Sequence, residues 1–360
     1  MRIAFDVSPL SHPLTGIGQY LRGSLAGLAE AAAAEGGHEI VAFAPTSARG
    51  RRAIPAALAG IDVELRLRVL PFSHAFRTAW SRRRRPPVER FLGRVDVLHF
   101  SDWMYPPQRA GVRATTIHDL VPLRFPEWTT ERTRRMHGEK YANAAATCDV
   151  VFVNSAYTAA DVVERLGVPA ERVRVAPPGV GPGFAPEGER VDLGRPYLLG
   201  LGNLEPRKNL ARLVEARRLL PDGPALALTV GGTWGDQSGL DDPAIVRLGY
   251  VADEEVPRLL RGADVFVYPS LFEGFGIPVV EAMACGTPVV ASSHPSLDEA
   301  CGDAAVRVDP QSPEAIAAGI EEARARRAEL VERGLRHAAR FTWRAVGETF
   351  LAGYREALGR

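Results

Sequence analysis

Pro269-Ser-Leu-Phe-Glu273-Gly-Phe-Gly276-Ile-Pro-Val-Val-Glu281-Ala-Met-Ala-Cys-Gly286-Thr-Pro-Val-Val290 follows directly on the apolar run Val265–Tyr268. A short apolar run stopped by proline reads as a buried strand. The loop behind it then lies at a strand's carboxyl end, the usual ligand edge of a parallel sheet. Gly274, Phe275 and Gly276 can bring backbone N–H groups against a ligand there, because glycine has no Cβ to clash. Pro278 sits where a helix starts, and Glu281 is expected in its first turn, aimed at the same loop. Glu273 on the loop and Glu281 on the helix stand eight positions apart, and both can reach a polyhydroxylated ligand. The plainer reading is a helix N-terminus decorated with acids that favour its dipole, worth ~0.3–1 kcal/mol each.

The same alternation runs from end to end. Expected strands in the first half are Arg2–Val7, Glu39–Ala44, Val63–Val69, Val95–Phe100, Arg113–His118, Asp149–Asn154 and Arg172–Ala176. Those in the second half are Tyr197–Gly202, Ala225–Val230, Ile245–Leu248, Asp264–Tyr268, Thr287–Ala291 and Ala304–Val308. Helical patterns such as Gly18–Ala34, Ala156–Leu166, Asn209–Leu220 and Glu255–Arg261 lie between them. This reads as an α/β protein with doubly wound parallel sheets. So many strands in one open sheet would be unusual, so two Rossmann-like domains are expected. Pro177-Pro-Gly-Val-Gly-Pro-Gly183, with the polar stretch to Arg195, breaks both helix and strand and marks the linker. The expected domains are 1–180 and 190–342, facing across a cleft where a ligand sits. The tail Gln311–Arg360 reads as helical throughout, starting at Ser312-Pro-Glu314 with a second helix from about Phe341-Thr-Trp343. Helix 343–360 is expected to pack back on the first domain.

The chain has 360 residues, 46% hydrophobic and 24% charged, which excludes a disordered or fibrous chain. No apolar run approaches the ~18 residues of a membrane span. Met1–Leu10 carries Asp6 inside its apolar run and reads as a strand, not a signal peptide. Cys148, Cys285 and Cys301 form no CxxC pair, so neither a disulfide framework nor a zinc site is expected, and a cytoplasmic location is. The net charge of +1 hides +7 over residues 1–185 and −6 over the remainder, which suggests two domains facing different partners. The nearly balanced total speaks against nucleic acid as a partner. Forty-two arginines stand against two lysines, Lys140 and Lys208. A lysine that persists against such a bias is a candidate for a group needed as an ammonium.

The 269–290 segment resembles the donor-binding signature of retaining glycosyltransferases of family 4 in the GT-B fold, two glutamates separated by seven residues around Gly-Phe-Gly. The likeness covers nearly the entire chain. Leu201-Gly-Asn203-Leu-Glu205-Pro-Arg207-Lys208-Asn209 is similar to the family's phosphate-gripping turn between a strand and a helix. A leaving diphosphate needs cations, and hydrogen bonds to charged groups contribute ~1.5–3 kcal/mol each. Many members carry an arginine soon after the glycine, where this chain has Asn203, so Arg207 and Lys208 are the expected phosphate pair. Thr15-Gly16-Ile-Gly18-Gln-Tyr20 resembles the family's amino-terminal glycine loop near the donor phosphates, although a tight structural turn explains Gly16 and Gly18 as well. His118, ending a strand before Asp119, sits where the family has a histidine that hydrogen-bonds the donor sugar. Gly249 and Tyr250 fall in the region that borders the nucleobase in the family; Val153-Asn154-Ser155-Ala-Tyr-Thr158 also matches a family segment, and Ser155 and Thr158 read as structural helix caps.

The resemblance implies a retaining hexosyltransferase that moves a sugar from a nucleotide-sugar donor to a glycan or lipid-linked acceptor. It leans toward bacterial mannosyltransferases of polysaccharide biosynthesis and GDP-mannose. Its catalytic residues would be His118, Glu273, Arg207 and Lys208; its donor site would add Gly16, Gly18, Gly249, Tyr250, Gly274, Phe275, Gly276 and Glu281. Neither metal nor cofactor is expected, since no DxD-type dyad is apparent and Asp241-Asp242 reads as a turn. Two alternatives are a GT-B nucleotide-sugar epimerase and a catalytically silent glycan-binding module. Arg82-Arg-Arg-Arg85, with Phe72, Phe76 and Trp80 upstream, reads either as a solvated charge run or as an acceptor-side surface. In the second reading it meets anionic phospholipid or a lipid diphosphate, giving peripheral contact with the inner face of the membrane.

Overall fold

The computed structural model describes residues 1–12, 16–83, 85–101, 104–202, 205–220, 223–229 and 242–359. It divides into two compact units, Met1–Gly179 with Thr342–Arg360, and Val180–Phe341.

The first unit holds a seven-stranded sheet of β1 (Arg2–Asp6), β2 (Glu39–Thr46), β3 (Glu64–Val69), β4 (Val97–Phe100), β5 (Val112–Ile117), β6 (Val150–Val153) and β7 (Val173–Val175). The order is β3-β2-β1-β4-β5-β6-β7, with every pair parallel. Central strands are buried on both faces, so Ile3, Ala4, Phe5, Val97 and Leu98 form unbroken apolar runs. At the edge, β3 alternates as Glu-Leu-Arg-Leu-Arg-Val, and its charges blunt pairing with another chain. The sheet winds outward in both directions from β1 and β4, so its switch point lies between those two strands.

The helix Trp343–Leu358 completes this unit. Phe350 and Tyr354 pack with Phe5 and Phe152, and the Tyr354 hydroxyl hydrogen-bonds His99 Nδ1 at 2.6 Å. It lies backbone to backbone on the helix Gly16–Glu35. A Cβ on Gly27 would stand 1.7 Å from the Trp343 carbonyl oxygen, and one on Gly347 would stand 2.1 Å from that of Gly27.

The second unit holds β8 (Tyr197–Leu201), β9 (Ala225–Thr229), β10 (Ile245–Arg247), β11 (Val265–Tyr268), β12 (Val289–Ser292) and β13 (Ala305–Val308). They form a parallel sheet in the order β10-β9-β8-β11-β12-β13, with the switch point between β8 and β11. The fold is therefore α/β with two Rossmann-like units, as the alternation implied.

Every expected strand is present, with ends moved by a residue or two; Val230, at the end of one, lies outside the described residues. The tail differs. It holds three helices, Pro313–Ala325, Arg327–Ala338 and Trp343–Leu358, where two were expected. Arg326, at φ −97° and ψ 19°, leaves the helical path and breaks the first from the second. Its guanidinium binds Glu329 on the second helix and Glu322 on the first across that break. Among the described residues, no helix is long and apolar enough to cross a membrane.

Gly347→Val is expected to destabilise the first unit by about 1–3 kcal/mol, since the added atoms meet backbone that cannot yield. Thermal unfolding followed by circular dichroism checks this; an unchanged midpoint would show that the helices are not held in contact.

Candidate active site

Because β8 and β11 are neighbours, their following loops meet at the carboxyl edge of the second sheet. The loop after β8 enters the short 3-10 turn Pro206–Lys208 and then the helix Leu210–Arg218. Asn209 joins turn to helix at φ +56°, a left-handed conformation that asparagine tolerates. Its side-chain amide donates to the carbonyls of Pro269, at 3.1 Å, and Pro310, at 2.6 Å. Leu271 N–H donates to the Arg207 carbonyl at 2.8 Å. These bonds stitch the cationic turn to the glutamate loop.

The carboxylate of Glu273 fills the junction. Its Oε2 accepts from Arg207 Nη1 at 2.5 Å, and its Oε1 accepts from Lys208 Nζ and from the Tyr268 hydroxyl, each at 2.8 Å. Lys208 also donates to the Tyr268 oxygen at 2.7 Å and lies 4.8 Å from the centroid of its ring. Arg207 turns its other arm to Glu205, at 2.7 Å. The Glu273 backbone N–H is fixed by Ser296 Oγ, at 3.0 Å, which in turn sits 2.9 Å from His294 Nδ1. Burial alone would raise the Glu273 pKa, yet the charges of Lys208 and Arg207 hold it down at about 2. Burial lowers the Lys208 pKa, against the pull of Glu273.

Gly276 carries φ +100°, and a Cβ there would meet Leu297 Cδ2 at 2.5 Å, so only glycine closes this loop. The helix Ile277–Ala284 starts directly after it. Glu281 therefore begins the second turn and not the first, and no acid occupies the first turn at all. That removes the dipole reading of the two glutamates. Glu281 is half-buried, and its carboxylate has no hydrogen-bond or ion-pair partner among the described residues. Burial, with the nearby charge of Asp253, pushes its pKa up to about 8. The Phe275 ring is buried against Phe341, with centroids 5.3 Å apart, which leaves only its backbone to face a ligand. Gly249 and the exposed Tyr250 follow β10, two strands away from β8.

The remaining expected residues belong to the first unit. Gly16 and Gly18 form the opening turn of the helix Gly16–Glu35, so they are helical and not a free loop; Thr15 lies outside the described residues. His118 follows β5, with Nδ1 3.2 Å from Asn154 Nδ2 and its ring edge-on to Tyr20 at 4.7 Å. Together with Ile17, Ser101 and Thr116, His118 and Tyr20 line a small pocket. Ser155 caps the helix Ala156–Leu166 by accepting from Thr158 N at 3.1 Å. Arg82 pairs with Glu139 at 2.6 Å, and Arg84, Asn203 and Asp241 lie outside the described residues. Asp242 accepts from Ala244 N–H at 2.8 Å, a local turn. Sequence reading missed Tyr268, Ser296 and Asp253. Tyr268 was accessible as the last strand residue before the loop; Ser296 opens a stretch, Ser296–Asp303, that reads as structural in the sequence, and nothing marked Asp253.

Residues 24–184 match the family described as Glycosyltransferase Family 4, and residues 184–337 match Glycosyl transferases group 1. A D-inositol 3-phosphate glycosyltransferase of Acidothermus cellulolyticus is 31% identical, over 76% of this chain and 70% of its own. The chain belongs to the group 1 glycosyltransferases. An O-antigen chain mannosyltransferase B of Escherichia coli is similar to this glycosyltransferase at 29% identity, over 95% of this chain and 96% of its own. Among solved structures, HepE of Anabaena in complex with UDP superposes with a TM-score of 0.69 at 16% identity, covering 99% of both chains. The glycosyltransferase thus has the GT-B fold. Its two family segments adjoin at residue 184, close to the unit boundary at Gly179 and Val180.

The state of Glu281 gives the ligand-free glycosyltransferase a pH signature. The folded chain keeps this proton to about pH 8, while the unfolded chain releases it near 4.5. The unfolded state then binds fewer protons in that window, so stability falls as pH rises from about 5 to about 8. Glu281→Gln should flatten that slope in chemical denaturation, and an unaltered slope would place the carboxylate in the ordinary range.

Proposed function

We propose that this group 1 glycosyltransferase moves a hexose, with mannose from GDP-mannose as the favoured donor, to a glycan or lipid-linked acceptor with retention of configuration. The observation that carries the reading is the grip of buried Glu273 on Arg207 and Lys208 at the switch point of the second sheet. Two cations held side by side in a partly desolvated site suit a leaving nucleoside diphosphate, whose negative charge grows as the glycosidic bond breaks. Both are anchored before the donor arrives, so little reorganisation is needed. The Glu281 carboxylate, half-buried and without a partner among the described residues, suits two vicinal ribose hydroxyls. The mannosyltransferase named among the relatives supports the sugar, and the UDP held by HepE supports a nucleotide donor.

In the proposed step the bond from the anomeric carbon to the diphosphate oxygen breaks and the acceptor oxygen bonds to that carbon on the same face. The acceptor proton passes to a donor phosphate oxygen. Arg207 and Lys208 neutralise the diphosphate, and Glu273 fixes their geometry near the transferred sugar. His118 is assigned to hydrogen bonding of that sugar, Gly16 and Gly18 to the donor phosphates, and the backbone at Gly249, Tyr250 and Gly274–Gly276 to the nucleotide.

A thermal-shift panel of GDP and UDP tests the donor: at 100 times its dissociation constant a ligand stabilises by about 2.7 kcal/mol. NMR of the product tests retention, which an inverted anomeric centre would contradict. Lys208→Ala should weaken nucleoside-diphosphate binding by about 1.5–3 kcal/mol in calorimetry, and Lys208→Arg should restore only part of it. Glu281→Gln should raise the donor KM, whereas Glu273→Gln should depress kcat more than nucleotide affinity. The reverse pattern would exchange the two roles. Turnover should survive EDTA; loss with recovery on adding magnesium would contradict the cationic leaving-group site.

A further inference from the structure

The first unit has its own unexplained cation. Arg77, on the helix Ser73–Arg83, is only 8% exposed, and its guanidinium makes no hydrogen bond or ion pair among the described residues. Its Nε is fully buried without a partner. Burying a charge unpaired is costly, so such a group is rarely kept for packing alone. Asp6, at the end of β1, is the carboxylate whose charge reaches it. Asp6 is already occupied: it accepts from Ser8 N–H at 2.9 Å and from the Ser101 hydroxyl and N–H, and it forms no ion pair with Arg77.

Further basic side chains lie within electrostatic reach of Arg77. His74 lies one helical turn before it, and Arg132 Nη2 is 3.1 Å from His74 Nε2. Burial, then the charges of Arg77, Arg132 and His12, depress the His74 pKa. His74, His12 and Arg132 are exposed, so the cluster opens to solvent. These residues follow β1 and β3 or open the helix that leads into β6, and Asp6 and Ser101 flank the switch point between β1 and β4. The carboxyl edge at a switch point is where such sheets take ligands.

We propose that Arg77, with His74 and Arg132 at its mouth, forms a phosphate-binding site on the first unit that takes a phosphate carried by the acceptor. The assignment rests on the transferase reading for the word acceptor, but the site itself does not. An anion supplies the partner that Arg77 lacks, and a guanidinium fork suits phosphate oxygens.

The full chain is titrated with inorganic phosphate by calorimetry and sedimented with phosphatidylglycerol or phosphatidylcholine vesicles. Arg77→Met could perturb folding, so the deciding variant is His74→Ala with Arg132→Ala, both exposed side chains. Phosphate affinity is expected to fall at least about tenfold in that variant and to survive in Lys208→Ala. GDP and UDP affinities should be unchanged in it. A loss confined to soluble phosphate assigns a phosphorylated acceptor, and a loss confined to phosphatidylglycerol vesicles assigns a lipid head group to the same site. Unchanged binding of both, or loss of phosphate in Lys208→Ala alone, overturns the proposal. If wild-type protein binds phosphate here but neither nucleotide, the donor reading fails and this site stands.

Discussion

One carboxylate shared by two cations organises the second unit. Glu273 is buried, and its oxygens accept from Arg207, Lys208 and Tyr268. The three partners come from the turn after β8 and the end of β11, strands adjacent only because the winding reverses between them. Removing Glu273, or both of its cations, would leave buried charge without compensation, which costs several kcal/mol. The loop geometry follows from that need. Gly276 at φ +100° lets the chain turn from the glutamate into a helix, and Asn209 ties the two loops through its amide. The same grip leaves Arg207 and Lys208 beside each other, which is the arrangement a diphosphate requires.

The two units solve the same topological problem with different chemistry. In each sheet the strand order reverses once, between β1 and β4 and between β8 and β11. At the second reversal the charges are paired internally. At the first, Asp6 is satisfied by neutral serine donors and Arg77 is left over. This contrast also fits the charge asymmetry of the chain, basic over residues 1–185 and acidic beyond.

Much of this was legible in the sequence because it depends on short-range pattern. Short apolar, β-branched runs located the strands, most plainly the central ones, since parallel strands buried on both faces cannot hide their composition. Glu273, Arg207 and Lys208 stood out by motif, and the structure brings those three together. The helix break at Arg326 was not legible, because it occurs within a run of good helix formers and shows only in backbone angles. Ser296 and Arg77 were equally hidden as site residues. Their importance lies in partners far apart in sequence, or in the lack of one, and no local pattern encodes that. The helical state of Gly16 and Gly18 shows the converse, a loop-like motif absorbed into a first turn.

The shared carboxylate is tested most directly by NMR titration of Glu273 through a 13C-labelled side chain, in the wild type and in Arg207→Met/Lys208→Met. The account predicts a wild-type pKa of about 2, held there by the two cations. In the double variant burial is opposed mainly by the hydrogen bond from the Tyr268 hydroxyl, and the pKa should rise above the ordinary 4.5. A wild-type value near 4.5, unmoved by loss of both cations, would contradict the account.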